Sequence, residues 1–241
     1  MQIIPGIYLV GSQDCFLTFT NWYSPDCEYI DANVFAVKLA NQIILFDSGN
    51  GESVEQIFNN MKAWDLDTKL ISHCFLTHPH FDHAGGARFL KNMGIQIVAH
   101  SLCAEAVQSG DERTCPYLYH RKFPCCEVDI VLRDEDRLTI GDLTIDALHT
   151  PGHANGSMIY SFEWGRQKVC VTGDLVAESG SLGWEGSIDF NRSQYIQSLK
   201  RALKLNPDVI LPGHRRPSVA RGVIWIEQAL NKAIVQWGGS E

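Results

Sequence analysis

The sequence has little positive charge, since its 241 residues include 20 Lys and Arg against 28 Asp and Glu, for a net charge of -8. It lacks the basic excess with which proteins bind a phosphate backbone, so we expect no nucleic-acid partner. A long apolar run is missing too. The most apolar stretch, residues 34–46, is interrupted by Lys38, Asn41 and Gln42 and is well short of the roughly 20 residues that span a bilayer. We therefore expect no membrane partner.

Signals for secretion and for disulfide bonds are also absent. The chain begins Met1-Gln2-Ile3-Ile4, with no positively charged segment before an apolar one, which predicts a cytoplasmic protein. No C-x-x-C spacing occurs and a chain of this size does not need disulfides, so we expect reduced thiols that mostly fill the core. The cysteines are at positions 15, 27, 74, 103, 115, 125, 126 and 170.

The remaining composition, 45% hydrophobic and 20% charged residues, is typical of a folded globular protein. Strands are predicted at residues 7–10, 15–20, 33–39 and 42–46, and helices at 52–65, 84–93 and 101–108 alternate with the strands that follow. More strands come after residue 128, and two helices close the chain. This order predicts one domain, residues 1–241, with two mixed sheets, flanking helices and a lid-like insertion at about residues 110–127.

The densest group of chemically active residues directly follows a predicted strand. Residues 77–83 read Thr-His-Pro-His-Phe-Asp-His. An extended segment turns His78 and His80 to the same side, whereas Asp82 and His83, at a helix start, come from another backbone direction. Two groups of ligands from one loop can thus serve two neighbouring metal ions.

Three later residues complete such a site, and each follows a glycine at a strand end or turn. They are His153, Asp174 and His214, and the glycines before them let the backbone turn sharply where each strand stops. Five ordinary histidines and two surface aspartates are the alternative interpretation, but the whole set in this order favours a metal site.

With these residues in order, the sequence resembles the metallo-β-lactamase superfamily. The H-x-H-x-D-H motif stands at residues 78–83, and the resemblance covers about residues 43–214. It implies an αββα sandwich of two mixed β-sheets with a metal pair at the sheet edges. By that resemblance the first ion is bound by His78, His80 and His153, the second by Asp82, His83 and His214, and Asp174 bridges them beside a shared water. Asp47 resembles the family's early Asp, which supports the site from outside the ligand shell; a plain turn that caps the next helix is the alternative.

The resemblance implies a hydrolase in which a metal-bridging hydroxide attacks the substrate, with Asp82 and Asp174 assigned to catalysis as well as to metal binding. We expect two divalent ions, with Zn favoured and Fe and Mn as alternatives. Asp174 is similar to the bridging Asp of the glyoxalase II, lactonase and phosphodiesterase branches, so cleavage of an ester or thioester of a small, anionic substrate is expected rather than of a β-lactam. The alternatives are a persulfide dioxygenase with one iron on His78, His153 and Asp174, a phosphodiesterase or lactonase of the same fold, and a non-catalytic binding module.

Substrate contacts are predicted from the lid, from the segment after Asp174 and from the turn after His214. Arg215 and Arg216 offer guanidinium groups suited to a carboxylate or phosphate. Tyr117, Tyr119 and Trp184 are further candidates, although we favour a core position for Trp184. The sequence predicts a small-molecule substrate as the partner, and a homodimer remains open.

Overall fold

The computed structural model describes residues 1–12 and 31–238. The predicted strand at residues 15–20 and the thiols of Cys15 and Cys27 lie outside the described residues. The chain forms two compact units, Met1–Leu132 and Arg133–Glu241, which we call the N-terminal and C-terminal units. Each unit contains one sheet and its own helices.

The N-terminal unit contains a seven-stranded sheet whose strands follow chain order. The first four strands pair antiparallel and the last four pair parallel, so the sheet is mixed. Its strands are β1 (Gln2–Ile4), β2 (Ile7–Gly11), β3 (Val34–Lys38), β4 (Ile43–Phe46), β5 (Ile71–Phe75), β6 (Gln96–His100) and β7 (Ile130–Leu132). The parallel strands need long crossovers, and helices supply them.

Four helices lie in these crossovers: α1 (Val54–Ala63), α2 (Phe81–Ala84), α3 (Ala87–Asn92) and α4 (Ser101–Ser109). In α1, the apolar residues Val54, Ile57 and Met61 recur at helical spacing and are buried. The helix predicted over residues 84–93 is shorter in the structure, where α3 covers Ala87–Asn92 and Ala84 ends the separate helix α2. The break occurs at Gly86, whose backbone N–H donates to the Gly49 carbonyl (3.0 Å) instead of continuing the helical ladder.

The segment at residues 110–127 contains two short 3-10 helices, Glu112–Thr114 and Pro116–Tyr119. Part of the segment is anchored in the core, since Tyr119 and Phe123 are buried and the Tyr119 ring stacks on Phe81 with 4.3 Å between the ring centroids. Its function as a lid stays a prediction.

The C-terminal unit contains a five-stranded sheet in the order β12-β11-β10-β9-β8. Only β11 and β12 pair parallel, so this sheet is also mixed. Its strands are β8 (Arg137–Ile140), β9 (Leu143–His149), β10 (Met158–Trp164), β11 (Gln167–Gly173) and β12 (Val209–Pro212). Helices α5 (Arg192–Leu203) and α6 (Val223–Trp237) bury an apolar core with this sheet, in which Tyr195 contacts Trp237 at 5.2 Å between ring centroids.

The described cysteines fit the predicted role. Five of the six, all except Cys125, are buried, and all six are free thiols. The prediction that the thiols mostly fill the core is confirmed for the five buried residues. None of the described helices is long and apolar enough to cross a membrane.

Candidate metal centre

Four candidate ligands in the N-terminal unit form what we call the first ligand cluster: His78, His80, Asp82 and His83. The His78 ring lies 4.5 Å from the His80 ring and 3.9 Å from the His83 ring between centroids. The candidate ligand atoms lie within 4.8 Å of each other in each of three pairs: His78 with His80, His78 with His83, and Asp82 with His83. Two nitrogens bound to one tetrahedral ion would lie about 3.4 Å apart, so this donor set fits a transition metal.

The backbone explains how one short loop brings these side chains together. His80 is extended, with φ -60° and ψ 150°, and α2 begins immediately after it. The extended part directs His78 and His80 from the loop, whereas Asp82 and His83 project from the first turn of α2. The three imidazoles are almost fully buried, at 1%, 4% and 0% exposure, and only a bound cation or a hydrogen-bonded network suits polar rings so far from water.

Asp47, at the end of β4, supports the first ligand cluster from beneath. Its Oδ2 accepts from His83 Nδ1 (2.8 Å) and from Thr77 Oγ1 (2.8 Å), and its Oδ1 accepts from the Thr77 backbone N–H (2.7 Å). Since Thr77 Oγ1 donates to the carboxylate, it is placed to accept from His78 Nδ1, 3.0 Å away. The imidazoles of His78 and His83 are thereby held with Nδ1 as the hydrogen-bond donor and Nε2 as the nitrogen that carries the free lone pair.

Asp47 also makes no contact that would cap α1, whose N-cap is Ser53. Its backbone lies in the left-handed region, with φ 62°. Thr77, whose hydroxyl lies between Asp47 and His78, was missed by the sequence analysis, although its position directly before the motif is a usable signal.

The second ligand cluster belongs to the C-terminal unit and consists of His153, Asp174 and His214. Each residue follows a glycine at a strand end or turn, and Gly152 and Gly173 have φ values of 135° and 49°. Asp174 Oδ2 lies 3.5 Å from His153 Nε2 and 3.5 Å from His214 Nε2. One carboxylate oxygen therefore lies between two imidazoles, an arrangement suited to holding cations.

Backbone oxygens and a buried tyrosine support this second cluster. His153 Nδ1 lies 3.1 Å from the Trp184 carbonyl oxygen, which accepts a hydrogen bond from the Nδ1–H and leaves Nε2 for a ligand. The Tyr195 hydroxyl accepts from Gly183 N–H (2.8 Å) and lies 2.8 Å from the Asp174 carbonyl and 2.7 Å from the Leu175 carbonyl. Burial raises the pKa of Tyr195, so this hydroxyl stays protonated and donates.

Gly183 explains why the loop after Asp174 can approach Asp174 and His153 so closely. A Cβ atom at this position would lie 2.3 Å from the Asp174 carbonyl oxygen and 2.8 Å from His153 Nδ1. Glycine is therefore required by a close approach of the backbone to two candidate ligands. The sequence does not reveal this support from Tyr195, because nothing in it relates that residue to a loop twelve residues earlier.

The other predicted contacts occupy varied positions. Tyr117 is exposed and Tyr119 is buried against Phe81. The expectation that Trp184 lies in the core is wrong, because 46% of it is exposed. Its carbonyl rather than its indole carries the contact to His153.

The two arginines after His214 differ in their surroundings. Arg216 pairs with Glu178 (2.9 Å). Arg215 lines a pocket of about 690 Å³ within the C-terminal unit, together with Leu182, Gly183, Lys232 and Val235. Gly183 places this pocket beside His153 and Asp174.

Comparison with known proteins identifies the family. Residues 30–214 match the metallo-beta-lactamase superfamily. The chain belongs to that superfamily. Most metallo-beta-lactamase superfamily members are hydrolases, and the matched residues include every member of both ligand clusters.

The fold is that of this superfamily. The metallo-beta-lactamase BJP-1 of Bradyrhizobium japonicum matches with a TM-score of 0.74 at 22% identity, over 99% of this chain and 93% of that chain. The predicted fold class, two mixed sheets flanked by helices in the αββα class, is confirmed. At 22% identity, this match shows a shared fold alone.

Two curated relatives are enzymes. The human acyl-coenzyme A thioesterase MBLAC2 is 26% identical over 211 residues, which cover 76% of this chain and 72% of the relative. The hydroxyacylglutathione hydrolase GloC of Haemophilus influenzae is 29% identical over 179 residues, which cover 68% of this chain and 76% of the relative.

Proposed function

We propose that the protein is a metal-dependent hydrolase that cleaves the thioester of a small substrate. In this proposal the first and second ligand clusters together hold two divalent ions, with Zn favoured and Asp174 as the bridging ligand. The proposed ligands are His78, His80, Asp82, His83, His153, Asp174 and His214. A cytoplasmic location and a homodimer stay predictions.

The observation that carries the proposal is the hydrogen-bonded array beneath the first ligand cluster. Asp47 accepts from His83 Nδ1, and Thr77 relays the same carboxylate to His78 Nδ1. A carboxylate behind a histidine fixes the ring tautomer and raises the basicity of the other nitrogen, as is usual around protein-bound metals. Histidines that only filled the core would not need this arrangement.

Bound metal ions would supply a water of lowered pKa and a Lewis acid for the thioester carbonyl. The residues of the chain prepare that chemistry. Asp47 and the Trp184 carbonyl hold the imidazoles in place, and Asp174, between His153 and His214, contributes the negative charge. Tyr195 fixes the backbone on which Asp174 stands.

A thioester is favoured over other substrates because MBLAC2 is named an acyl-coenzyme A thioesterase, and GloC is named a hydrolase of an acyl group on glutathione. The pocket at Arg215 suits the acyl part of such a substrate. Leu182 and Val235 contribute apolar surface, whereas Arg215 and Lys232 contribute positive charge. Glu185 also lines the pocket, and its carboxylate pairs with Arg192 (3.0 Å). An acyl group that ends in a carboxylate matches this combination.

The test measures metal content and hydrolysis in one preparation made without chelator. We expect close to two transition-metal ions per chain, release of thiol from acyl thioesters, loss of activity on chelation and no opening of a β-lactam. A single iron per chain, with uptake of O₂ on glutathione persulfide and no thiol release from thioesters, would replace the hydrolase by a dioxygenase.

A further inference from the structure

The N-terminal unit has a second pocket, of about 360 Å³, which no ligand-cluster residue lines. We call it the basic pocket, after its three cationic residues Arg88, Arg121 and Lys122. Glu52 is the only acidic residue among those that line it. Because the whole chain carries a net charge of -8, this local positive excess runs against the average surface.

Contacts with neighbouring groups fix two of the three cations. The Arg121 guanidinium lies over the Phe81 ring, 4.9 Å from its centroid, and pairs with Glu52. Arg88 donates through Nη1 to the Cys125 carbonyl (2.7 Å), an interaction that orients the guanidinium without neutralising its charge. The Lys122 ammonium forms no ion pair with any residue in the described part of the chain. The pocket thus holds two positive charges in excess, and charged donors of this kind bind phosphate oxygens.

An exposed aromatic ring lies in the same wall. Phe89 is 49% exposed, and its contact with Phe58, at 6.0 Å between centroids, supports it without covering it. Asn92 adds an amide to the lining. Aromatic rings stack on nucleobases, and amides pair with their polar edges. A pocket that combines cations, a ring and an amide matches a nucleotide rather than a bare anion.

The basic pocket is close to the first ligand cluster along the chain. Phe81 and Gly85 line it. Phe81 directly precedes Asp82 in the chain, and Gly85 lies two residues after His83. Consecutive Cα atoms are about 3.8 Å apart, so the pocket wall and the cluster are within about 10 Å. A carrier with a nucleotide at one end and a thioester on a long flexible arm can span that distance.

We infer that the basic pocket binds the phosphorylated nucleotide end of a coenzyme A thioester, so that the thioester itself reaches the first ligand cluster. This inference rests on the proposed thioester hydrolysis and deepens it, because it names the carrier. Glutathione and a carrier-protein phosphopantetheine lack the nucleoside that Phe89 and Asn92 would recognise.

The first measurement is direct binding of adenosine 3′,5′-bisphosphate to the purified protein by calorimetry. Lys122→Gln and Arg88→Gln should each weaken binding about tenfold, since each removes one charged contact to phosphate. Phe89→Ala should weaken it at least fivefold, because the stacking surface is lost. Lys62→Gln, in α1 and outside the pocket, is the matched control and should bind like the parent.

Metal ions attract phosphate too. The result is therefore decided by the loss of nucleotide affinity in the three pocket variants relative to Lys62→Gln. Equal binding in all four variants and the parent, or no binding to the parent, would overturn the inference. Inorganic phosphate that binds as tightly as the bisphosphate nucleotide would also overturn it, because the nucleoside would then contribute nothing.

The second measurement compares kcat/KM for an acyl-coenzyme A with that for the same acyl group on pantetheine, which lacks the nucleotide. The parent and Lys62→Gln should prefer the coenzyme A ester at least tenfold, and Lys122→Gln should reduce this preference. Equal kcat/KM for both esters in the parent, with no nucleotide binding, would overturn the inference and leave the proposed function standing. Hydrolysis of neither ester would overturn the proposed function, and the binding data would then decide the pocket separately.

Discussion

The two ligand clusters are built in different ways. The first comes from one short segment, residues 78–83, with its imidazoles nearly sealed from water and a buried carboxylate, Asp47, beneath them. The second comes from three separate turns, with His214 29% exposed and its support drawn from backbone oxygens. Local sequence therefore determines most of the first cluster, whereas the second exists only after distant segments have packed around Tyr195.

The largest expected effect is on the second cluster. Asp174→Asn removes the charge between His153 and His214, so kcat for thioester hydrolysis should fall at least about 100-fold, with less metal bound and the fold retained. Metal analysis, steady-state kinetics and circular dichroism measure the three quantities. His149→Gln is the control, because this ring contacts the Asn155 carbonyl (2.7 Å) and belongs to neither cluster. Unchanged metal content and turnover in Asp174→Asn would contradict the assignment.

The next effect tests the support of the first cluster. Asp47→Asn keeps one oxygen acceptor and replaces the other oxygen with an amide NH₂ group. The two oxygens of Asp47 together accept from His83 Nδ1 and twice from Thr77, so in the variant at least one of these donors would face an amide N–H. Metal affinity or activity should drop about 10- to 100-fold. Competition with a chelator measures the affinity. Asp67→Asn is the matched control, since the exposed Asp67 carboxylate accepts from the Lys69 N–H (3.0 Å) and belongs to neither cluster. Equal affinities in the two variants would show that a buried carboxylate is not needed there.

A smaller effect is expected on the pH dependence of stability, through Asp31, which contacts the turn after Asp47. Asp31 accepts from the Asn50 N–H (2.8 Å), and burial raises its pKa to about 6. The folded protein then holds a proton that the unfolded chain releases, so this residue contributes stability at about pH 4 that is lost as the pH rises through 6. Asn cannot ionise.

The free energy of unfolding of Asp31→Asn, relative to the parent, should therefore increase by about 1 to 2 kcal/mol between pH 4 and pH 7. Urea unfolding at both pH values measures this difference. A relative stability that does not change with pH would mean that the Asp31 carboxyl is already ionised at pH 4.

The smallest effect distinguishes the two arginines beside the second cluster. Arg215→Ala should raise KM about three- to tenfold for a thioester whose acyl group ends in a carboxylate and leave the neutral analogue unaffected, because Arg215 lines the pocket there. Arg216→Ala is the matched control, since Arg216 pairs with Glu178. Equal changes for both esters would assign Arg215 to surface charge and direct the search for acyl specificity to the lid segment at residues 110–127.

The sequence alone determined the candidate ligands, their order and the two mixed sheets. Imidazole and carboxylate groups are recognisable by type, and the motif at residues 78–83 is short enough for backbone geometry to bring His78 and His80 together. The strands were predictable for a similar reason, because Val, Ile and Phe in β3 and β4 form short apolar runs.

Tertiary structure decided what depends on contacts between distant segments. The split between α2 and α3 arises because Gly86 bonds to Gly49, a residue 37 positions earlier in the chain. The nitrogens that His78, His83 and His153 offer depend on Thr77, Asp47 and the Trp184 carbonyl, respectively. The exposure of Trp184 follows from a loop that is held by its backbone. Such contacts have no local signature, because hydrogen bonds and close approaches depend on where the chain returns after packing and not on the residues beside them.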